Sequence, residues 1–195
     1  AIEPNDEKLL FEDKRMEVRC FPLKHSIAIS GFLFKEKPKE RNIIRSKIEQ
    51  YDIPLFEINK IKKGADFISE KGEVIANADL TLSPPKVLSY AFCTDTAFME
   101  KTAAFVKDVD VLYHESTFLQ AEIKRARKTS HSTAQQAAKV AQAANVRKLL
   151  LGHFSARYDD NSLFEKEAEI IFKHVTATSE GMRIIAAPNE ISIQF

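Results

Sequence analysis

Val87-Leu88-Ser89-Tyr90-Ala91-Phe92-Cys93-Thr94-Asp95-Thr96 opens the part of the chain whose pattern decides the fold: a β-forming run ends in a polar turn. From there strands and helices alternate. The pattern predicts a strand over Val87 to Phe92, a helix over Met99 to Lys107, a strand over Val109 to Tyr113 and a helix over Ser132 to Ala144. A strand over Arg147 to Leu151, a helix over Leu163 to His174 and a strand pair over Met182 to Ala187 and Ile191 to Phe195 complete it. Such succession argues for a layered α/β fold. The helix after His131 has the clearest start, because Ser132 or Thr133 can cap it and a Gln stands three residues beyond each. Upstream, Met16 to Leu23 and Ile27 to Phe34 read as strands, with Lys24-His25-Ser26 between them. The polar stretch from Lys35 to Pro85 is broken by Pro38, Pro54, Gly64, Gly72, Pro84 and Pro85. It reads as an inserted arm containing a short helix within Ile43 to Tyr51, which makes 1–34 with 86–195 one domain and 35–85 the insertion.

The 195 residues carry 29 Lys+Arg, 28 Asp+Glu and 44% hydrophobic residues, for a formal charge of +1. This balance excludes a mainly disordered chain and supports a core without staples. No apolar run approaches the roughly 20 residues of a membrane span, and the acidic, polar Ala1 to Glu7 is unlike a secretory signal. Cys20 and Cys93 form no CxxC pair, which suits a reducing cytoplasm and excludes a cysteine-based zinc site. Near-neutrality confines any nucleic-acid binding to local patches. Lys35 to Lys63 holds nine basic and five acidic residues, and Lys124-Arg125-Ala126-Arg127-Lys128 is a second cluster. Charge runs of this kind are most often solvated faces.

Titratable residues recur where the predicted strands end: Asp95, then His114 and Glu115, then His153. Open α/β sheets build their sites at the carboxyl ends of strands. His and Asp are nitrogen and oxygen donors that zinc accepts, and a carboxylate can bridge two ions. No phosphate-binding glycine loop and no GxSxG elbow is present, so nucleotide and serine-hydrolase chemistry are disfavoured. Singly, each residue has a plainer reading. A lone His at a strand end is commonly a hydrogen-bonded structural residue, Asp95 can merely cap the helix after it, and His174 at a predicted helix C-terminus complements the dipole. The joint pattern points to a metal site.

Five short motifs carry a resemblance: Pro22-Leu23-Lys24-His25 followed by Gly31-Phe32; Thr94-Asp95-Thr96; His114-Glu115-Ser116-Thr117; His131-Ser132-Thr133-Ala134; and Leu151-Gly152-His153-Phe154-Ser155-Ala156-Arg157-Tyr158. In order and spacing they resemble the C-terminal part of ribonuclease Z, a tRNA 3′-end endonuclease family of the metallo-β-lactamase fold. The resemblance implies the C-terminal part of an αββα sandwich with an inserted arm. It implies a cytoplasmic, homodimeric hydrolase that holds two zinc ions and removes the 3′ trailer from precursor tRNA. Position by position, it makes His25, Asp95 and His153 metal ligands and His131 the proton donor to the leaving 3′ oxygen. His114 and Glu115 match the family's HEAT motif, with Ser116 in place of Ala, and count with His131 as catalytic candidates, Glu115 to orient His131 or another site group. Ser155, Arg157 and Tyr158 are then placed to meet phosphate, and Lys60, Lys62 and Lys63 to grip tRNA.

The chain departs from the family in two respects. The HxHxDH motif is absent, His25 being the first histidine, so most of the implied metal ligands are missing. The expectation is a fragment of a longer enzyme that by itself binds metal poorly and is inactive. The arm also lacks the family's Gly-Pro motif, since Leu55 and Phe56 follow Pro54. Two rival readings remain. One is another hydrolase of the same fold, such as a cyclic-nucleotide phosphodiesterase or an arylsulfatase-like enzyme. The other is a non-catalytic fragment that binds RNA or dimerises through an uncovered sheet face.

Overall fold

The computed structural model describes residues 6–194. Phe195, the expected end of the last strand, and Ala1 to Asn5 of the polar N-terminal stretch lie outside the described residues. The chain divides into two units, residues 1–36 with 88–195 and residues 37–87.

The larger unit is built on a seven-stranded sheet. In spatial order its strands are Lys8–Glu12, Met16–Pro22, Ser30–Glu36, Ser89–Cys93, Val111–Glu115, Lys148–Gly152 and Val175–Ala177. The first four pair antiparallel, and from Ser89–Cys93 onward the pairing is parallel. Parallel neighbours need crossover connections. Helices Thr102–Phe105, Ala134–Ala143 and Ser162–Glu169 supply them.

Strand parity sorts the side chains between two faces. Ala91, Cys93, Leu112, Leu149 and Leu151 face the helices and belong to the main core. Ala134, Ala137, Ala138 and Ala141 are buried in that core, and their small side chains let the helix approach the sheet closely. The same helix begins with a full capping box: the Thr133 hydroxyl accepts from the Gln136 backbone N–H, and the Gln136 side chain accepts from Thr133 N–H. Phe34, Tyr90, Val111, Tyr113 and Leu150 turn to the other face, where they line an apolar groove of about 530 Å³ with Met182 and Ile184.

The smaller unit has its own core of Ile53, Ile61, Phe67, Ile75 and Leu80. Around it lie helices Arg45–Gln50 and Leu55–Lys62 and two short antiparallel ladders, Asn42–Ile43 with Thr81–Leu82 and Phe67–Ile68 with Val74–Ile75. Leu55 and Phe56, which follow Pro54, are 82% and 72% exposed.

Several local expectations are corrected. The Met99 to Lys107 helix is reduced to Thr102–Phe105, because the residues before it close on three-residue turn bonds, Thr102 N–H to Met99 O and Ala103 N–H to Glu100 O. The helix expected to reach His174 ends at Glu169. His174 is therefore not a helix C-terminal cation; its carbonyl accepts from Leu149 N–H and leads into Val175–Ala177, a strand too short for its periodicity to show. Strand Lys8–Glu12 and helices Leu55–Lys62 and Ile123–Thr129 add to the expected elements. Among the described residues no helix is long and apolar enough to cross a membrane.

Candidate metal and acid–base site

The parallel register aligns the ends of three strands, pairing Cys93 with His114 and Gly152 with Glu115. The chain leaves two of these ends in left-handed conformation at non-glycine residues, Asp95 at φ 53° and His153 at φ 59°. Such backbone costs about 1–3 kcal/mol per residue and collects at functional sites. Gly152 is required by a close approach: a Cβ there would overlap the Tyr113 ring and hydroxyl.

Glu115 is the hub, with no exposed surface. Its Oε2 accepts from the Thr117 hydroxyl at 2.6 Å and from Ser132 N–H at 3.0 Å. Its Oε1 accepts from Thr96 N–H and lies 2.8 Å from His131 Nδ1. That bond sets the His131 ring and leaves Nε2 outside it. On the other side, Thr117 Oγ1 lies 2.9 Å from His153 Nδ1, and His153 Nε2 is 3.2 Å from Asp95 Oδ1. The His25 loop is tied in by Lys24 N–H donating to Thr96 Oγ1 at 3.1 Å and Ala97 N–H donating to Lys24 O at 2.7 Å. The His131 ring centroid stands 5.4 Å from that of His25 and 5.2 Å from that of His153.

Donor atoms of Asp95, His131 and His153 all lie within 4.8 Å of one another. Zinc accepts carboxylate and imidazole donors, and in a catalytic site it asks for three protein ligands and an open position. Asp95 and His153 therefore supply two of the donors such an ion asks for, with His131, tied to Glu115 through Nδ1, beside them. The grouping differs from the sequence assignment: His131 stands within it, and His25 stands beside it with Nδ1 3.1 Å from Ser26 Oγ.

The other expected residues are placed less centrally. His114 precedes Glu115 on the strand and so faces away from it; it is 1% exposed, and its Nδ1 donates to Glu115 O at 2.7 Å. Burial holds its pKa below the ordinary histidine value. Tyr158 packs on Phe164, and its hydroxyl accepts from Leu119 N–H, which makes it a strut. Ser155 N–H donates to Thr117 O, and Arg157 is exposed. In the smaller unit Lys60 pairs with Glu57 at 2.7 Å and Lys62 with Glu40 at 3.4 Å, while Lys63 ends its helix as the C-cap.

The electrostatics around the hub agree with this layout. Tyr113 is pushed up by burial and then by the charges of Glu115 and Asp95, against a bond from the His153 backbone. Tyr90 is pushed up to about 12, again mainly by burial, and burial pushes the Cys93 thiol up beyond reactivity. Thr117 was given no individual role by sequence reasoning. The signal was present, because a residue two beyond Glu115 in extended chain shares its side.

No family model matches the chain. Curated ribonuclease Z proteins are similar to it along nearly its whole length. The protein of Parabacteroides distasonis is 45% identical over 183 residues, covering 94% of this chain and 60% of that protein. That of Bacteroides fragilis is 43% identical with the same coverage, and that of Cytophaga hutchinsonii is 43% identical over 182 residues, or 93% and 58%. The chain thus spans about 60% of the length of these relatives. Solved structures agree on the fold. The short form of human tRNase Z superposes with TM-score 0.54 at 21% identity, covering 93% of this chain and 47% of that one. The metallo-β-lactamase fold protein YhfI of Bacillus subtilis gives 0.56 at 12% identity, covering 98% and 54%. In sequence over nearly all its residues, and in fold, this chain matches the ribonuclease Z proteins of the metallo-β-lactamase fold, of which it represents about 60%.

Proposed function

We propose that this chain carries part of the catalytic centre of a ribonuclease Z-type, zinc-dependent endoribonuclease that removes the 3′ trailer from precursor tRNA. The convergence of Asp95, His131 and His153 carries this reading. Asp95 and His153 would hold zinc, with His25 alongside. Zinc bound there would polarise the phosphodiester and lower the pKa of water. His131, fixed through Nδ1 by Glu115, uses Nε2 to protonate the departing 3′ oxygen, and the Glu115 charge steadies the imidazolium. Arg157, exposed four residues beyond His153, contacts a flanking phosphate together with Ser155. Tyr158 and His114 are kept for structure. Lys60, Lys62 and Lys63 meet tRNA phosphates, the first two weakened by their acidic partners.

The 195 residues by themselves bind zinc weakly and do not turn over, and the complete enzyme works as a cytoplasmic homodimer. Zinc content and cleavage of a trailer-bearing precursor tRNA test this, with the chain alone and with the chain reconstituted with the remaining segment of the Parabacteroides relative. Cleavage is expected only after reconstitution. Stoichiometric zinc with full turnover by the chain alone would overturn the partial-site reading. Intact tRNA after reconstitution with bound zinc would overturn the assigned activity.

A further inference from the structure

We propose that Thr117 fixes the proton of His153 on Nδ1 and so keeps Nε2, the nitrogen facing Asp95, open as a cation donor. Thr117 is a positioning residue, and its purpose rests on the metal reading above. A hydroxyl carries one hydrogen. That of Thr117 goes to Glu115 Oε2, 2.6 Å away, and the same Oγ1 lies 2.9 Å from His153 Nδ1. With its hydrogen committed, Oγ1 meets the ring as an acceptor, so Nδ1 must be the donor. Both Glu115 oxygens already receive backbone N–H donors, Oε1 from Thr96 and Oε2 from Ser132, so the carboxylate faces Thr117 as an acceptor.

In a neutral imidazole one nitrogen donates and the other accepts. Nε2 of His153 therefore presents a lone pair to Asp95 Oδ1 at 3.2 Å. The other carboxylate oxygen, Oδ2, already accepts from the Thr94 hydroxyl at 3.0 Å. Two lone pairs facing each other at this distance repel, and the opposite tautomer would replace the repulsion with an Nε2–H···O bond. Thr117 works against that tautomer. The separation also suits a shared ion, since tetrahedral zinc with bonds of about 2.0–2.1 Å holds neighbouring donors roughly 3.3 Å apart. Glu115 thereby orients both rings, His131 directly and His153 through one hydroxyl.

The test is long-range proton–nitrogen NMR on metal-free protein with 15N-labelled histidine, above about pH 8 where an ordinary imidazole is neutral. His153 is assigned by its loss in His153→Asn. Wild type and Thr117→Ser are expected to carry the His153 proton on Nδ1, and the isosteric Thr117→Val to carry it on Nε2. Cobalt affinity, read from visible absorption, should fall about 10–100-fold in Thr117→Val and stay within about threefold in Thr117→Ser. Wild type protonated on Nε2 would overturn the proposal without recourse to any variant. So would a Thr117→Val protein that keeps the Nδ1 proton, or a Thr117→Ser protein that loses as much affinity as Thr117→Val. Wild type that shows the Nδ1 proton but binds no cobalt even when reconstituted with the remaining segment would instead overturn the metal reading and leave the tautomer lock standing.

Discussion

Each unit of this chain is organised by a buried polar side chain, and the two differ in what they hold. Asn77, in the smaller unit, donates from Nδ2 to the carbonyls of Ile61 and Ala65, both at 2.7 Å, and its Oδ1 accepts from Thr81 at 3.0 Å. Every one of those bonds ends on scaffold. Glu115, in the larger unit, also gathers backbone N–H groups, from Thr96 and Ser132. Its remaining partners are Thr117 and His131, and His131 and the His153 ring bonded to Thr117 each keep a second nitrogen outside these bonds, beside Asp95. Burying a polar group is costly unless its bonds are made, so both hubs are saturated. The difference teaches that saturation is common to both, and that function is marked by partners with donor or acceptor capacity left over.

The sharpest way to break this contrast is His131→Ala in the reconstituted enzyme. It should lower precursor cleavage by about 10²–10⁴-fold with little loss of fold, and unaltered turnover would leave Glu115 as scaffold alone. Glu115→Gln comes next, because it offers an amide N–H where donors already point. We expect about 1–3 kcal/mol lost in urea unfolding together with weaker cobalt binding. A stable variant with native affinity would erase the distinction between the hubs.

Asn77→Ala should cost a similar or smaller amount, about 1–3 kcal/mol, confined to the smaller unit. Its cobalt affinity should match wild type, and a parallel fall in metal binding would show that the units are not separately organised. Neutralising Lys60, Lys62 and Lys63 to Gln is expected to reduce the salt slope of tRNA binding by about one rather than three. The reason is that Lys60 and Lys62 already have acidic partners. A full reduction by three would mean those pairs open on binding.

The smallest effect is expected at His114. Its pKa is lowered by burial, so the unfolded chain takes up a proton near pH 6.5 while the folded protein does not. Stability is then unaffected above that pH and declines as pH falls from about 6.5 towards the folded value. His114→Gln should flatten that decline in unfolding measured between pH 7.5 and pH 5.5. An unchanged slope would remove His114 from the acid response.

Much of the larger unit was legible because its signals are local. The core strands alternate apolar residues between two faces, and Thr133 with Gln136 announces the helix that follows. The segments without such signals have physical reasons. Lys8–Glu12 is an edge strand with every residue exposed and a register shift between Leu9 and Phe11, so it carries no burial pattern. Ile123–Thr129 is a helix hidden inside a basic cluster, with only Ala126 buried. Leu55–Lys62 buries only Ile61, too little periodicity to separate it from a polar loop.

What the amino-acid order determined by itself was the succession of elements and the kinds of donor waiting at the strand ends, because periodicity and side-chain chemistry are properties of neighbouring residues. Which of those donors share a pocket was decided only by tertiary structure. His131 joins Asp95 and His153 while His25 stands beside them, and His114 turns into the core while Glu115 turns to the site. Such choices depend on sheet register and strand parity, which bring together residues scattered from position 25 to position 153 through space rather than along the chain.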